Sequence, residues 1–172
     1  MILSSKTWPA LAVLLVVLAA SVAWAGEDEI TLYFDFEYSC DECTTGPALN
    51  VPFYVYVAIS NPSAAEIVGA EFGYTVSVSP GGSASLARLE NSVAAGAVDL
   101  GDSSDLLVGD YRLTFSEPLV SQPQVVVTTW RMVRTAGAEV EFFLGPANVQ
   151  SIDDGQAAYI APSGAIPLAW AC

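Results

Sequence analysis

The most constraining feature of the sequence is the stretch of residues 51–78, in which two strand-like runs flank a single turn. Residues 53–59 and 67–78 are rich in β-branched and aromatic side chains, which favour extended backbone in a half-buried sheet. Asn61-Pro62-Ser63 lies between the two runs, and residues of these types are common in turns. The first run is apolar on both faces, as in a central strand. The stretch therefore predicts two strands that share one core.

Seven further segments have strand character, and turn-forming residues separate them. They are residues 30–36, 85–90, 111–115, 125–133, 140–144, 156–160 and 166–170. After the first 25 residues no window sustains the spacing of a helix, and no internal repeat, linker or second domain is visible. About nine short strands therefore predict an all-β protein, a single-domain antiparallel β-sandwich.

The first 25 residues have the pattern of a helical signal peptide. Lys6 precedes the apolar run 10–20, and Ala23-Trp24-Ala25 fits the small-x-small cleavage rule. The alternative is an uncleaved transmembrane anchor, but the apolar run is shorter than the ~20 residues that a membrane-spanning helix needs. We therefore expect residues 1–25 to be removed. Residues 26–172 would form a secreted domain, extracellular or periplasmic, without membrane attachment.

The charge balance excludes several classes of partner. The chain has 5 Lys+Arg residues against 19 Asp+Glu residues, a formal net charge of -14, and Lys6 is its only lysine. After the leader the cationic side chains are Arg88, Arg112, Arg131 and Arg134. Nucleic acids and anionic lipid surfaces bind through cationic side chains, so we expect neither to be a partner of this acidic chain.

The composition also limits the chemistry of a possible active site. The chain has no histidine, which excludes Ser-His and Cys-His nucleophile pairs and histidine-ligated metals. A pair of carboxylates, as in glycoside hydrolysis, remains possible. The candidates are acidic residues of the predicted strands: Asp35, Glu37, Glu71, Glu139 and Glu141. Alternating acids on strands usually form a solvent face, so we do not expect an enzyme.

Two acidic segments are candidates for a calcium site. Asp99, Asp102 and Asp105 lie within one predicted loop, and Asp153-Asp154 precedes a glycine. Calcium takes six to eight oxygen ligands, which clustered carboxylates and loop carbonyls can supply. Neither segment has EF-hand spacing, and aspartate is also an ordinary turn residue. Turn formation is the favoured interpretation, calcium is the alternative, and no other cofactor is expected.

Three aromatic residues are candidates for binding a glycan. Tyr54 and Tyr56 share one face of the predicted central strand, and Trp130 lies between Thr129 and Arg131 on another strand. Exposed aromatic rings can stack on sugar rings, whereas rings in a sandwich core bury large apolar surfaces. The sequence leaves both interpretations open.

The cysteines are Cys40, Cys43 and Cys172, an odd number. In an exported protein we expect them to be oxidised where geometry allows, which leaves one cysteine over. A local Cys40–Cys43 bridge is one possibility. A redox motif at Cys40-Asp41-Glu42-Cys43 lacks the helix that lowers the thiol pKa in such motifs.

Two motifs resemble those of cohesin modules. The segment Ile67-Val68-Gly69-Ala70-Glu71-Phe72 is similar to the third strand of cohesin-like modules. Asp153-Asp154-Gly155, followed by Ser163-Gly164-Ala165-Ile166, is similar to their closing segment. The third strand continues as Tyr74-Thr75-Val76, where cohesins usually have Tyr-Asp-Pro.

The resemblance implies a nine-stranded jelly-roll sandwich related to carbohydrate-binding modules. It also implies that the last strand lies parallel to the first, which would bring Cys172 beside the 40–43 loop. A Cys40–Cys172 bridge is then favoured over Cys40–Cys43.

These observations favour a non-catalytic structural or adhesive module that binds an extracellular protein. The alternative is a carbohydrate-binding module that recognises a polysaccharide through exposed aromatic residues. A carboxylate-based glycoside hydrolase is the third and least favoured function.

Overall fold

The structure, a computed structural model, describes residues 27–34, 44–45 and 48–170. The predicted signal peptide, the three cysteines, Asp35 and Glu37 lie outside the described residues. Within the described part of the chain, no helix is both long and apolar enough to span a membrane.

The described residues form eleven strands, so the prediction of an all-β fold is confirmed. The strands are β1 (Glu29–Tyr33), β2 (Thr44–Thr45), β3 (Pro52–Ser60), β4 (Glu66–Ser79), β5 (Leu86–Val93), β6 (Ala97–Asp99), β7 (Val108–Val120), β8 (Gln124–Arg134), β9 (Glu139–Gly145), β10 (Ala157–Ala161) and β11 (Gly164–Trp170). A 3-10 helix occupies Gly82–Ser85. Each of the nine predicted strands is present. The two that the sequence did not indicate, β2 and β6, are only two and three residues long.

The first sheet has the strand order β5-β8-β3-β1. Strand β3 pairs antiparallel with both β1 and β8, which makes it the central strand that its apolar faces indicated. Strand β11 pairs antiparallel with β10 and parallel with β1, with Glu29 opposite Ala169 and Ile30 opposite Trp170. The parallel arrangement of the last and first strands, implied by the resemblance, is therefore confirmed.

The second sheet is built around β4. One edge of β4 pairs with β7, which in turn pairs with the short β6. The other edge pairs with β10 at residues 69–71 and with β9 at residues 73–79. Strand β2 extends β9. Because β11 contacts both β10 and β1, it joins the second sheet to the first.

The core lies between the two sheets and is rich in aromatic side chains. Phe72 and Tyr111 from the second sheet stack with ring centroids 4.9 Å apart. Trp130 from the first sheet contacts the ring of Tyr74 at 5.1 Å and that of Phe142 at 6.1 Å. These side chains are almost completely buried. Burial of each large apolar side chain contributes about 1.5–3 kcal/mol to stability, so this cluster is a major part of what holds the sheets together.

Candidate functional site

The outer face of the second sheet carries exposed apolar side chains. Along β4, Phe72 and Tyr74 point into the core, so Glu71, Gly73 and Thr75 point outward. Large apolar residues on or beside this face are each more than half exposed to solvent: Val98, Leu100, Val108, Phe143 and Val149. We call these five residues the outer surface. The solvent-facing side of an antiparallel sheet is normally polar, so apolar residues grouped there indicate a binding surface.

A loop crosses this face and separates two grooves. The loop comprises residues 146–156 between β9 and β10, and we call it the strap. One groove, of about 200 Å³, is lined by Glu71, Leu100, Arg112, Val149 and Ile160, among others. The second, of about 220 Å³, is lined by Thr75, Val108, Phe143, Pro146 and Asn148, among others. The strap contributes residues to both grooves.

The strap is tied to the sheet by two buried carboxylates. The Asn148 amide donates to Asp110 Oδ1 at 2.8 Å. The Ser151 backbone N–H and hydroxyl donate to the two Glu71 carboxylate oxygens at 2.7 and 2.8 Å. Glu71 and Asp110 are each 5% exposed. At the crossing point a Cβ on Gly73 would lie 2.3 Å from the Pro146 carbonyl oxygen, so only glycine permits this approach.

The structure does not bring the described candidate carboxylates together as a catalytic pair. Glu71 is buried and accepts hydrogen bonds from Ser151. Glu141 lies opposite Ser77, six residues along β4 from Glu71, which is about 20 Å in an extended strand. A glycosidase needs its carboxyl groups about 5–10 Å apart. Glu139 and Glu141 are exposed and project from one strand, rather than facing each other across the sheet.

The three candidate calcium ligands hold the loop that contains them. Asp99 Oδ1 accepts the backbone N–H groups of Gly101 at 2.9 Å and Arg112 at 3.1 Å, and its Oδ2 accepts the Ser103 hydroxyl at 2.7 Å. Asp102 Oδ1 accepts the Ser104 hydroxyl at 2.8 Å.

Asp105 acts in the same way. Its Oδ1 accepts the backbone N–H groups of Leu107 and Val108, and these bonds lower the pKa of the Asp105 carboxyl below its ordinary value. Among the described residues no group of three or more acidic or cysteine side chains is placed to hold a metal ion. The arrangement supports the turn interpretation of Asp99, Asp102 and Asp105. Asp154 behaves likewise, because its carboxylate accepts the Gln156 N–H at 2.9 Å.

Arg88 fixes the same loop from the opposite sheet. Its Nη2 donates to the carbonyl oxygens of Ser103 at 2.7 Å and Ser104 at 2.9 Å, and its Nη1 donates to Tyr74 Oη at 3.3 Å. Burial raises the pKa of the Tyr74 hydroxyl, although the Arg88 guanidinium partly opposes this effect. Sequence reasoning missed this role of Arg88. The sequence did contain a signal for it, because Arg88 lies within a predicted strand and this chain has few cationic side chains.

Trp130 belongs to a hydrogen-bond chain that runs outward from the core rather than to a surface platform. Its indole N–H donates to Tyr111 Oη at 2.6 Å, and that hydroxyl donates to Asn91 Oδ1 at 2.6 Å. The Asn91 amide continues the chain to Ser103 Oγ at 3.4 Å. Ser103 in turn bonds to Asp99, so the chain connects the aromatic core to the loop.

The three candidate glycan-stacking residues therefore do not form an exposed row. Trp130 is 1% exposed and Tyr56 is 4% exposed. Only Tyr54, at 38%, presents much of its ring, and it stacks on Tyr56 with centroids 6.0 Å apart. Trp130 is therefore not available to bind a sugar, because its ring lies between the two sheets. The pattern of the sequence could not decide this, because either face of an apolar strand could have turned inward.

Tyr111 gives the fold an expected sensitivity to alkaline pH. Burial raises the pKa of its hydroxyl from 10.0 to about 12. The unfolded chain therefore loses this proton at lower pH than the folded protein does. The contribution of Tyr111 to stability is complete below pH 10 and is expected to be lost as pH rises towards 12. Urea unfolding at a series of pH values should show this fall, and Tyr111→Phe should reduce its slope. An equal slope in the variant would contradict the assignment.

No protein-family model matches the chain, and no curated protein does. The chain is similar in structure to a cohesin module from a family 33 glycoside hydrolase of Clostridium perfringens, at 11% identity and a TM-score of 0.54, over 82% of this chain and 89% of that one. It is also similar to the sixth cohesin of Acetivibrio cellulolyticus scaffoldin B, solved in complex with a dockerin. That match has 11% identity and a TM-score of 0.56, over 84% of this chain and 94% of the other. The fold is a cohesin-like β-sandwich.

Proposed function

We propose that this cohesin-like chain is a secreted, non-catalytic module that binds another extracellular protein through the outer surface. The observation that carries the proposal is the group of exposed apolar side chains on the second sheet. Exposed apolar residues that line grooves are typical of sites where a partner side chain becomes buried. The sixth scaffoldin B cohesin, which shares the fold, was solved with a protein partner. Cleavage after Ala25 and a Cys40–Cys172 bridge are part of the same proposal.

The geometry supports a protein partner better than a polysaccharide. A carbohydrate-binding face needs two or more exposed rings in a row, and of the three candidate rings only Tyr54 is substantially exposed. The outer surface instead offers Leu100 and Val149 beside Arg112 in one groove. In the other groove it offers Val108 and Phe143 beside Asn148. Apolar anchors surrounded by hydrogen-bonding groups are the usual anatomy of a protein interface.

The partner can be identified by site-specific photo-crosslinking. A photoreactive phenylalanine is placed at Leu100 in the mature protein, which is then exposed to secreted and surface proteins of the organism that encodes it. The same residue placed at Leu89 is the matched control, because Leu89 is also about half exposed but lies on the first sheet. A partner that crosslinks from Leu100 and not from Leu89 is the expected result. Equal crosslinking from both positions would contradict the assignment of the surface.

Leu100→Asp is expected to weaken binding of the purified partner by about 30-fold, since an anchor residue contributes about 2 kcal/mol. Leu100 is exposed, so the variant should keep its fold. Calorimetric titration measures the dissociation constant, and Leu89→Asp should leave it unchanged. An unchanged constant in Leu100→Asp would exclude this surface. Binding to insoluble polysaccharide that is lost in Tyr54→Ala would support the carbohydrate alternative.

A further inference from the structure

The strap is attached to the second sheet by side chains and not by a strand ladder. Among the backbone–backbone hydrogen bonds of the described residues outside strand pairs, none involves residues 146–156. Two of its hydrogen bonds stay within the strap: Gly155 N–H donates to Gln150 and Gln156 N–H donates to Asp154. Its hydrogen bonds to the sheet are those of Asn148 to Asp110 and of Ser151 to Glu71, and the small side chain of Ala147 is also buried. The strap can therefore leave the sheet without breaking a strand pairing.

The ties connect groups that water can also satisfy. Glu71 and Asp110 project from the outer face of the sheet, on the neighbouring strands β4 and β7. When the strap lifts, solvent can hydrate both carboxylates and the donors of Asn148 and Ser151. Exchange of protein hydrogen bonds for water hydrogen bonds has a small net free energy compared with the bonds themselves. An open strap is therefore a state of moderately higher energy than the closed one, with the sandwich intact.

We propose that the strap is a conformational switch of the binding surface. In the closed position it provides a wall to each groove, through Val149 on one side and Pro146 on the other. In the open position both grooves lose that wall, and the partner-binding surface is dismantled while the core stays packed. The effect of the switch on partner binding rests on the proposed function. The opening itself is a property of the chain alone and can be measured without a partner.

Hydrogen–deuterium exchange of the mature protein tests the switch. The double variant Asn148→Ala/Ser151→Ala removes both side-chain donors from exposed positions. The backbone amide of residue 151, which donates to Glu71 in the closed strap, is expected to exchange at least about tenfold faster, because the closed state loses side-chain hydrogen bonds to two charged groups. Amides of β4 and β7 should keep their rates. Ser104→Ala is the matched control, since it removes a serine bonded to Asp102 in another exposed loop.

A second variant acts on the strap from its other end. Gly73→Ala places a methyl group against the Pro146 carbonyl oxygen and removes no donor or acceptor of either tie. It should also accelerate exchange of the Ser151 amide. An unchanged rate at residue 151 in both variants, or acceleration that spreads equally to β4 and β7, would overturn the switch.

The partner gives a separate measurement. If only the protein with a closed strap binds the partner, the apparent dissociation constant should rise as the closed fraction falls. The double variant should therefore bind more weakly than the wild type. Faster exchange with unchanged affinity would keep strap opening and overturn its role in binding. Unchanged exchange together with normal binding would overturn the switch and leave the proposed function intact.

Discussion

Replacing Trp130 with alanine is expected to lower the free energy of unfolding by about 3–5 kcal/mol. The indole is 1% exposed and contacts the rings of Tyr74, Tyr111 and Phe142 at centroid distances of 5.1, 6.2 and 6.1 Å. Its removal leaves a cavity between the two sheets, and the surrounding strands can collapse only partly. Domains are stable by about 5–15 kcal/mol, so the variant will be marginal.

Urea denaturation followed by circular dichroism measures this effect. Trp130→Phe keeps most of the ring volume and should fold well enough for comparison. Tyr54→Ala is the exposed-aromatic control, and we expect it to change stability by about 1 kcal/mol or less. A Trp130→Ala protein that unfolds at the wild-type urea concentration would contradict the core position. So would a variant that loses polysaccharide binding but retains its stability.

The second large effect is expected from Tyr111→Phe, which removes a single oxygen atom. The Tyr111 hydroxyl accepts the Trp130 indole N–H and donates to Asn91, both at 2.6 Å. Its loss leaves the buried indole N–H of Trp130 without an acceptor, whereas Asn91 is exposed and water can replace its lost donor. One buried unsatisfied group costs about 1–3 kcal/mol, so the variant should lose about that much stability.

A double-mutant cycle separates this mechanism from simple loss of packing. In a Trp130→Phe background there is no indole N–H to leave unsatisfied, so Tyr111→Phe should cost less than in the wild type, by about 0.5–3 kcal/mol. Tyr54→Phe, at an exposed ring, is the control for loss of a hydroxyl. Equal costs of Tyr111→Phe in the two backgrounds would show that the hydrogen bond to Trp130 contributes nothing measurable.

The roles of Asp99, Asp102 and Asp105 depend on the groups that surround them in the fold. The sequence showed three carboxylates in one loop, a composition that favoured turns and left calcium as the alternative. The distinction depends on donors that are close in space, and one of them, the Arg112 N–H, is thirteen residues away from Asp99. Each carboxylate instead supports the path of the loop, and the loop places Leu100 and Val108 at the outer surface.

Local sequence determined the all-β class and the nine main strands of this protein, because alternation and β-branched content act within a few residues. The cohesin-like motifs also indicated the parallel pairing of β1 with β11. Tertiary structure alone decided that Trp130 turns inward, whereas Tyr56 is buried on the opposite face of its sheet, against Tyr33 and Ala58. It also decided that Arg88 reaches across to the opposite sheet, and that the strap crosses β4 at Gly73. These features depend on which strands become neighbours and in which register, and those contacts join residues far apart in the chain.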